Sequence, residues 1–172
     1  MTRHILRFGL LAGAFIATVF LSTYLLFVGE HADNQTGMMV GYSIMSLGFI
    51  LLIFGVRKIR NERGDAKWNF AWALWSGLAM MLIACSVYSL SWTVYISNFD
   101  PDWMQRYVQS TLEAMQSKGS SPSEIEAAQK EMAGYVGYYE NPFMVFLITL
   151  TEPMPPGILI SLITAIVFRK KA

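Results

Sequence analysis

The sequence predicts an all-α membrane protein: four transmembrane helices, the fourth broken at a proline-rich stretch, with an amphipathic helical hairpin on one side. Three observations predict this. Of 172 residues, 54% are apolar and 15% charged, and mean hydropathy is +0.40, whereas a soluble domain carries about a quarter charged residues. The apolar residues gather into blocks at 5–28, 38–56, 69–96 and 143–168. Each is long enough to cross a bilayer, which takes about 20 residues at roughly 1.5 Å rise. The fourth block holds Glu152 followed by Pro153, Pro155 and Pro156, which an uninterrupted helix does not tolerate. These features exclude a soluble enzyme, a disordered tail and a disulfide scaffold. The net charge of +1 gives no basic surface for nucleic acid. The single cysteine, Cys85, forms neither an intramolecular disulfide nor a zinc cluster.

The first block follows Arg3 and includes Arg7. It is too long for a signal-peptide core, and no small-x-small cleavage pattern follows Leu25-Leu26-Phe27, so a retained span is expected. The second block leads into a basic loop with Arg57, Lys58, Arg60, Arg63 and Lys67. The third is overlong for a vertical crossing and has to tilt or project. Trp68, Trp72 and Trp75 near one end, and Trp92, Tyr95 and Phe99 near the other, suit interfacial aromatic belts. With Arg169, Lys170 and Lys171 in the tail, most of the 13 Lys and Arg residues fall on one side of four crossings. In segment 100–140 acids outnumber the bases Arg106, Lys118 and Lys130. The positive-inside rule then places both termini in the cytoplasm.

Segment 100–140 reads as two helices. Asp100 is an N-cap with Pro101 at the first helical position. Met104, Tyr107, Val108, Leu112 and Met115 recur at helical spacing, and Gly119 is a stop. Ser121-Pro-Ser-Glu124 is a capping box, followed by Ile125, Ala128, Met132, Tyr135 and Tyr139. The apolar faces cover each other or bind a partner.

Small residues recur by fours at Gly9, Gly13 and Ala17, at Gly37 and Gly41, and at Ala73 and Gly77. Such stripes let helix backbones approach. They serve packing within one chain or, alternatively, homodimerisation through the first span.

In the fourth block Asn141 and Pro142 start a helix that breaks over Glu152–Pro155 and resumes at Pro156, with Gly157 just inside the new helix. A carboxylate at this depth costs about 2.5 kcal/mol or more. The N–H groups of Gly157, Ile158 and Leu159 could hold it. So could hydroxyls at similar depth: Ser22, Tyr42, Ser43, Ser46 and Tyr88, with Thr18, Ser89 and Ser91 near them. This predicts a polar layer or small pocket in the outer half, closed below by apolar packing. No catalytic motif, cofactor motif or metal-ligand cluster occurs, and no second titratable side chain accompanies Glu152 within the spans. A non-enzyme is expected. His31 between Glu30 and Asp33 reads as a solvated turn, and His4 has no evident partner.

Gly37-Met-Met-Val-Gly41-Tyr42 with the basic loop after it, Asp100-Pro-Asp-Trp103, Asn141-Pro-Phe143 and Glu152-Pro-Met-Pro-Pro-Gly157 together resemble domain of unknown function 4199 over almost the whole chain. The resemblance implies a small bacterial four-span inner-membrane protein, hence a periplasmic hairpin, and no assigned activity. The expected role is a single membrane domain over 1–172 acting as an accessory, scaffold or partner-binding protein. Its partners would be the bilayer, a second copy or another membrane or periplasmic protein. The alternative is a small transporter, or a ligand- or proton-binding protein with an outward-facing site at Glu152.

Overall fold

The computed structural model describes residues 1–28, 34–63 and 68–169, and all its regular structure is helical. His31, Lys67, Lys170 and Lys171 lie outside the described residues. The elements are α1 (Thr2–Thr23) with a π-helical turn (Tyr24–Val28), α2 (Asn34–Arg63), α3 (Phe70–Phe99), α4 (Trp103–Ser117), α5 (Pro122–Tyr139), α6 (Pro142–Thr151) and α7 (Met154–Phe168). Four stretches are long and apolar enough to cross a membrane, the last being α6 and α7 together.

Two boundaries differ from expectation. The basic residues Arg57, Lys58, Arg60 and Arg63 are the last turns of α2, not a loop. Arg, Lys and Glu are good helix formers, no proline intervenes, and positive charge suits a helix C-terminus. Lys58 and Glu62 pair at i,i+4 with 3.5 Å between them, and Glu62 also takes His4 at 2.6 Å. His4 therefore has a partner, and it ties the start of α1 to the end of α2. Asp100 is the C-cap of α3 rather than the N-cap of the next helix. Its carboxylate is taken by Arg106 and by the Tyr24 hydroxyl, so α4 begins two residues later behind Asp102.

Other ends follow the local chemistry read from the sequence. Gly119 takes φ +80° at the end of α4, a left-handed value that favours glycine. Ser121 and Glu124 form the reciprocal capping box, and these donors from Ser121 hold the Glu124 carboxyl below its usual range. Asn141 accepts from the Phe143 N–H at 2.9 Å.

α3 is the central helix. α1, α2, α6 and α7 all pack on it, α7 also lies against α2, and α1 against α2. The glycine stripe of α1 is used here. A Cβ on Gly9 would lie 2.9 Å from both Ile83 Cβ and the Met80 carbonyl, and one on Gly13 would lie 2.7 Å from Val87 Cβ. Homodimerisation through Gly9 and Gly13 therefore has no free surface, because α3 occupies it. Gly41 faces Phe20 of α1, Gly55 faces Phe8 and Met80, and Gly77 faces Ser161. Gly37 and Gly41 line a cleft between α1 and α2 with Phe20, Tyr24 and Ile44. Ala73 is fully buried. The core below the hairpin end is apolar, with Ile16, Phe49, Leu52, Val56, Ile59 and Met80 buried.

Gly13→Ala is expected to lower stability in detergent by about 1–3 kcal/mol through overpacking. Gly134→Ala, in α5 with nothing within 4 Å of the added Cβ, should instead gain about 0.5–1 kcal/mol of helix propensity. Thermal unfolding of the two purified variants checks both. Equal, small effects would contradict the close α1–α3 packing.

Candidate functional site

The site grows from the seam between α3 and the fourth span. Gly77 meets Ser161, and Gly157 meets Met81 at 2.6 Å from its would-be Cβ. α3 also packs on α6, and along the two sides of this seam Cys85, Ser89 and Thr93 continue α3 by fours while Pro153, Thr149 and Val145 continue the fourth span. All of these residues are buried. Small and hydroxyl-bearing residues thus line a seam whose outer sides face lipid.

The break falls where the sequence predicts, but it is shorter. Glu152 and Pro153 form a turn, and α7 already begins at Met154. Pro155 and Pro156 sit in the first turn of α7, where N–H groups have no intrahelical acceptor, so the missing donors cost that helix nothing. Glu152 itself keeps αR geometry, with φ −60° and ψ −49°. Its N–H reaches the Thr149 carbonyl at 3.3 Å, and the Gly157 N–H goes to the Pro153 carbonyl at 3.2 Å. The Gly157 N–H is therefore engaged within the chain rather than holding the carboxylate.

Tyr88 holds it instead. The buried Tyr88 hydroxyl donates to Glu152 Oε2 at 3.3 Å, long for an O–H···O bond. Along α3, Tyr88 lies about 10 Å inward of Tyr95 and about 24 Å from Trp72 by helix rise. The half-buried carboxylate is therefore inside a hydrocarbon layer of about 30 Å, in the half nearer the hairpin.

A second phenol comes from the hairpin. Tyr139, the last residue of α5, stacks on Trp103 with centroids 5.5 Å apart. Burial pushes its phenol up from the ordinary value, and the charges of Glu152 and Tyr107 add to this. Trp103 in turn meets Trp92 of α3 edge-on at 5.4 Å, and Trp92 meets Phe20 and Tyr24 of α1.

The other predicted hydroxyls do not join. Ser22 and Ser43 are exposed on the outer surface, and Ser43 returns its hydrogen bond to the Met39 carbonyl. Thr18 is also exposed, Ser46 is half-buried and Tyr42 is 43% exposed. Ser91 bonds the Val87 carbonyl. Instead the buried hydroxyls nearest the break are Ser89, Thr93 and Thr149, none of them with a hydrogen-bond partner. Thr93 and Tyr139 had no place in the predicted layer. The four-residue recurrence of Cys85, Ser89 and Thr93 was the available signal for the first. The position of Tyr139 just before the Asn141 cap was the signal for the second. Pro153 and Gly157 are buried, Pro156 is half-buried and Pro155 is exposed. Among the described residues no cluster of three His, Cys, Asp or Glu residues could hold a metal.

Four membrane-crossing segments, a helical hairpin over one end and a lone carboxylate within the apolar layer define an all-α multi-pass membrane protein. The family described as "Protein of unknown function (DUF4199)" matches residues 7–170, nearly the whole chain, and the protein belongs to that family. No curated protein and no solved structure matches it.

Tyr88→Phe and Glu152→Ala should each destabilise the protein by about 1–3 kcal/mol, the usual cost of leaving one buried partner unsatisfied. The double variant should lose less than their sum, by at least about 0.5 kcal/mol. Glu152→Gln, which keeps an acceptor oxygen, should be milder than Glu152→Ala. Strict additivity in reversible denaturation would mean that the two groups do not interact. Because the Tyr139 phenol is raised in the folded state, the stability it supports is complete below pH about 10 and is lost as pH rises through its folded value. Near-UV circular dichroism of the hairpin aromatics should fade at alkaline pH, and Tyr139→Phe should remove part of that loss.

Proposed function

We propose that this protein is a non-catalytic scaffold of the bacterial inner membrane, with both termini cytoplasmic, that presents its helical hairpin to a partner on the periplasmic side. The observation that carries this reading is the aromatic bridge from Trp92 through Trp103 to Tyr139, which joins α3 to both hairpin helices. Offset and edge-on ring pairs contribute about 0.5–1.5 kcal/mol each beyond burial. A hairpin meant only to connect two spans does not need such an anchor. Above it α5 buries no residue fully, and Tyr135 and Tyr138 are 44% and 53% exposed. Glu126 and Glu131 are exposed on the same helix against the single exposed Lys130, so the complementary partner surface is basic with room for aromatic rings.

The orientation rests on charge. Arg3 and Arg7 of α1, the basic end of α2 and Arg169 lie at the end opposite the hairpin. The helix break at Glu152 favours a second reading, a ligand- or proton-binding membrane protein, and the two are compatible in one chain.

Photo-crosslinkers placed at Tyr135 and Tyr138 in cells should trap one discrete protein. Trp103→Ala should abolish that product without preventing membrane insertion. Charge reversal at Glu126 and Glu131 should weaken it. Crosslinks within the chain alone would remove the partner reading. In a Cys85→Ser background, an impermeant maleimide should label Ser120→Cys in intact spheroplasts and Asn61→Cys only after permeabilisation. The reverse pattern would overturn the orientation.

A further inference from the structure

Among the described residues Glu152 is the acidic side chain that the fold carries into the apolar layer, and oxygen-bearing side chains stand beside it in sequence and space. The Tyr88 hydroxyl donates to it at 3.3 Å. Thr149, three residues before Glu152, is fully buried with its hydroxyl unpartnered, and Ser89, the residue after Tyr88 on α3, is in the same condition. Proline at 153, 155 and 156 deletes the N–H groups that would have paired with the carbonyls of Thr149, Thr151 and Glu152. The Thr149 carbonyl is compensated by the Glu152 N–H. The other two lie at the same turn as the carboxylate. Other serines and threonines of the bundle, such as Ser76, Ser86 and Thr164, spend their hydroxyls on the carbonyl four residues back. Ser89 and Thr149 do not, nor do Thr93 and Ser161 farther along the seam.

The charge balance of this cluster is one-sided. The titratable neighbours are phenols and one thiol, none of them cationic: Tyr88 and the buried Cys85 from α3, Tyr139 from α5, and Tyr42 from α2 beyond Tyr88. The basic residues of α1 and α2 stand at the far end of the bundle. One negative charge with neutral oxygen donors is completed by one positive charge. A divalent ion would leave a net charge in the apolar layer, which is as costly as the bare carboxylate. Broken membrane helices expose backbone carbonyls of the kind that hold Na⁺ or H⁺.

We propose that the oxygen cluster of Glu152, Tyr88, Thr149 and Ser89 at the α6–α7 break is a binding site for one exchangeable monovalent cation, either a proton or an alkali ion. A proton converts the carboxyl into a donor, and the Tyr88 hydroxyl oxygen is the acceptor within reach. An alkali ion would be held by the same oxygens. Either occupant leaves the site neutral, and Tyr139 places the foot of the hairpin within electrostatic reach of that change.

The full-length protein in liposomes is treated with dicyclohexylcarbodiimide, an apolar reagent that attacks protonated carboxyls, and modification of Glu152 is read by mass spectrometry. Modification is expected in the wild type, absent in Glu152→Gln, and falling by about tenfold per pH unit on the alkaline side of its midpoint. If the alkali ion is the occupant, NaCl or KCl at fixed pH should protect relative to choline chloride. If the proton is, the salts should act alike. Tyr88→Phe, which keeps the carboxylate and the ring, should shift the pH midpoint and serves as the second variant. Absence of modification at every pH in the folded protein would overturn the proposal. So would modification that responds to neither pH nor salt, because a permanently neutral carboxyl only fixes the helix break.

Discussion

The constraint that organises this structure is the shelter of one carboxylate within the apolar layer. A broken helix leaves backbone carbonyls and a charged side chain where lipid offers no hydrogen bond, so the break must rest against protein. The fold meets this with α3, on which α1, α2, α6 and α7 all pack. Its neighbours approach closely because glycine stands at the crossings. Gly9 and Gly13 bring α1 in, Gly77 admits Ser161, and Gly157 admits Met81 and Phe49. Small residues at the seam are thus the condition under which Tyr88 reaches Glu152. A larger side chain at Gly157 would push α7, and the break with it, away from α3.

The same helix carries the hairpin. Where α3 leaves the apolar layer, its rings continue the packing: Phe20 meets Tyr88 and Trp92, Tyr24 meets Trp92 and Tyr95, and Trp103 meets Trp92. This cluster replaces the apolar core where the bundle meets water, and aromatic side chains with a polar tip suit that boundary. Asp100 adds a polar clasp, accepting from Tyr24 and paired with Arg106. The hairpin is therefore seated at its base and free above it.

How much of this was legible in the sequence follows from what a membrane hides. Span number, the caps at Ser121 and Asn141 and the break after Thr151 rest on composition, capping chemistry and proline, which act locally. Which face of a span turns inward does not. In water an apolar stripe marks the buried face, but lipid is as apolar as a core, so hydrophobicity carries no such mark. Counting hydroxyls by depth therefore placed Ser22, Ser43 and Tyr88 at one level without telling that Ser22 and Ser43 face outward. The informative pattern was the recurrence by fours of small and polar residues in α3 and the fourth span. The end of α2 was misplaced for a different reason. Its basic residues signal the membrane boundary, yet they are helix formers, and the helix outlasts the bilayer.

Tyr139 joins the two halves of the molecule. It ends α5, stacks on Trp103 and lies within the field of Glu152. A change of charge at the break is therefore felt by a ring that also anchors the hairpin. The Tyr139 phenol is neutral at ordinary pH, so it meets the carboxylate as a dipole meets a charge, which is weaker than the few kcal/mol of two unit charges at short range. A neutralised and a bare carboxylate therefore differ by a small bias on the ring contacts that seat α5. No rearrangement of the central bundle is needed, because the glycine contacts of α3 leave the spans no room to shift.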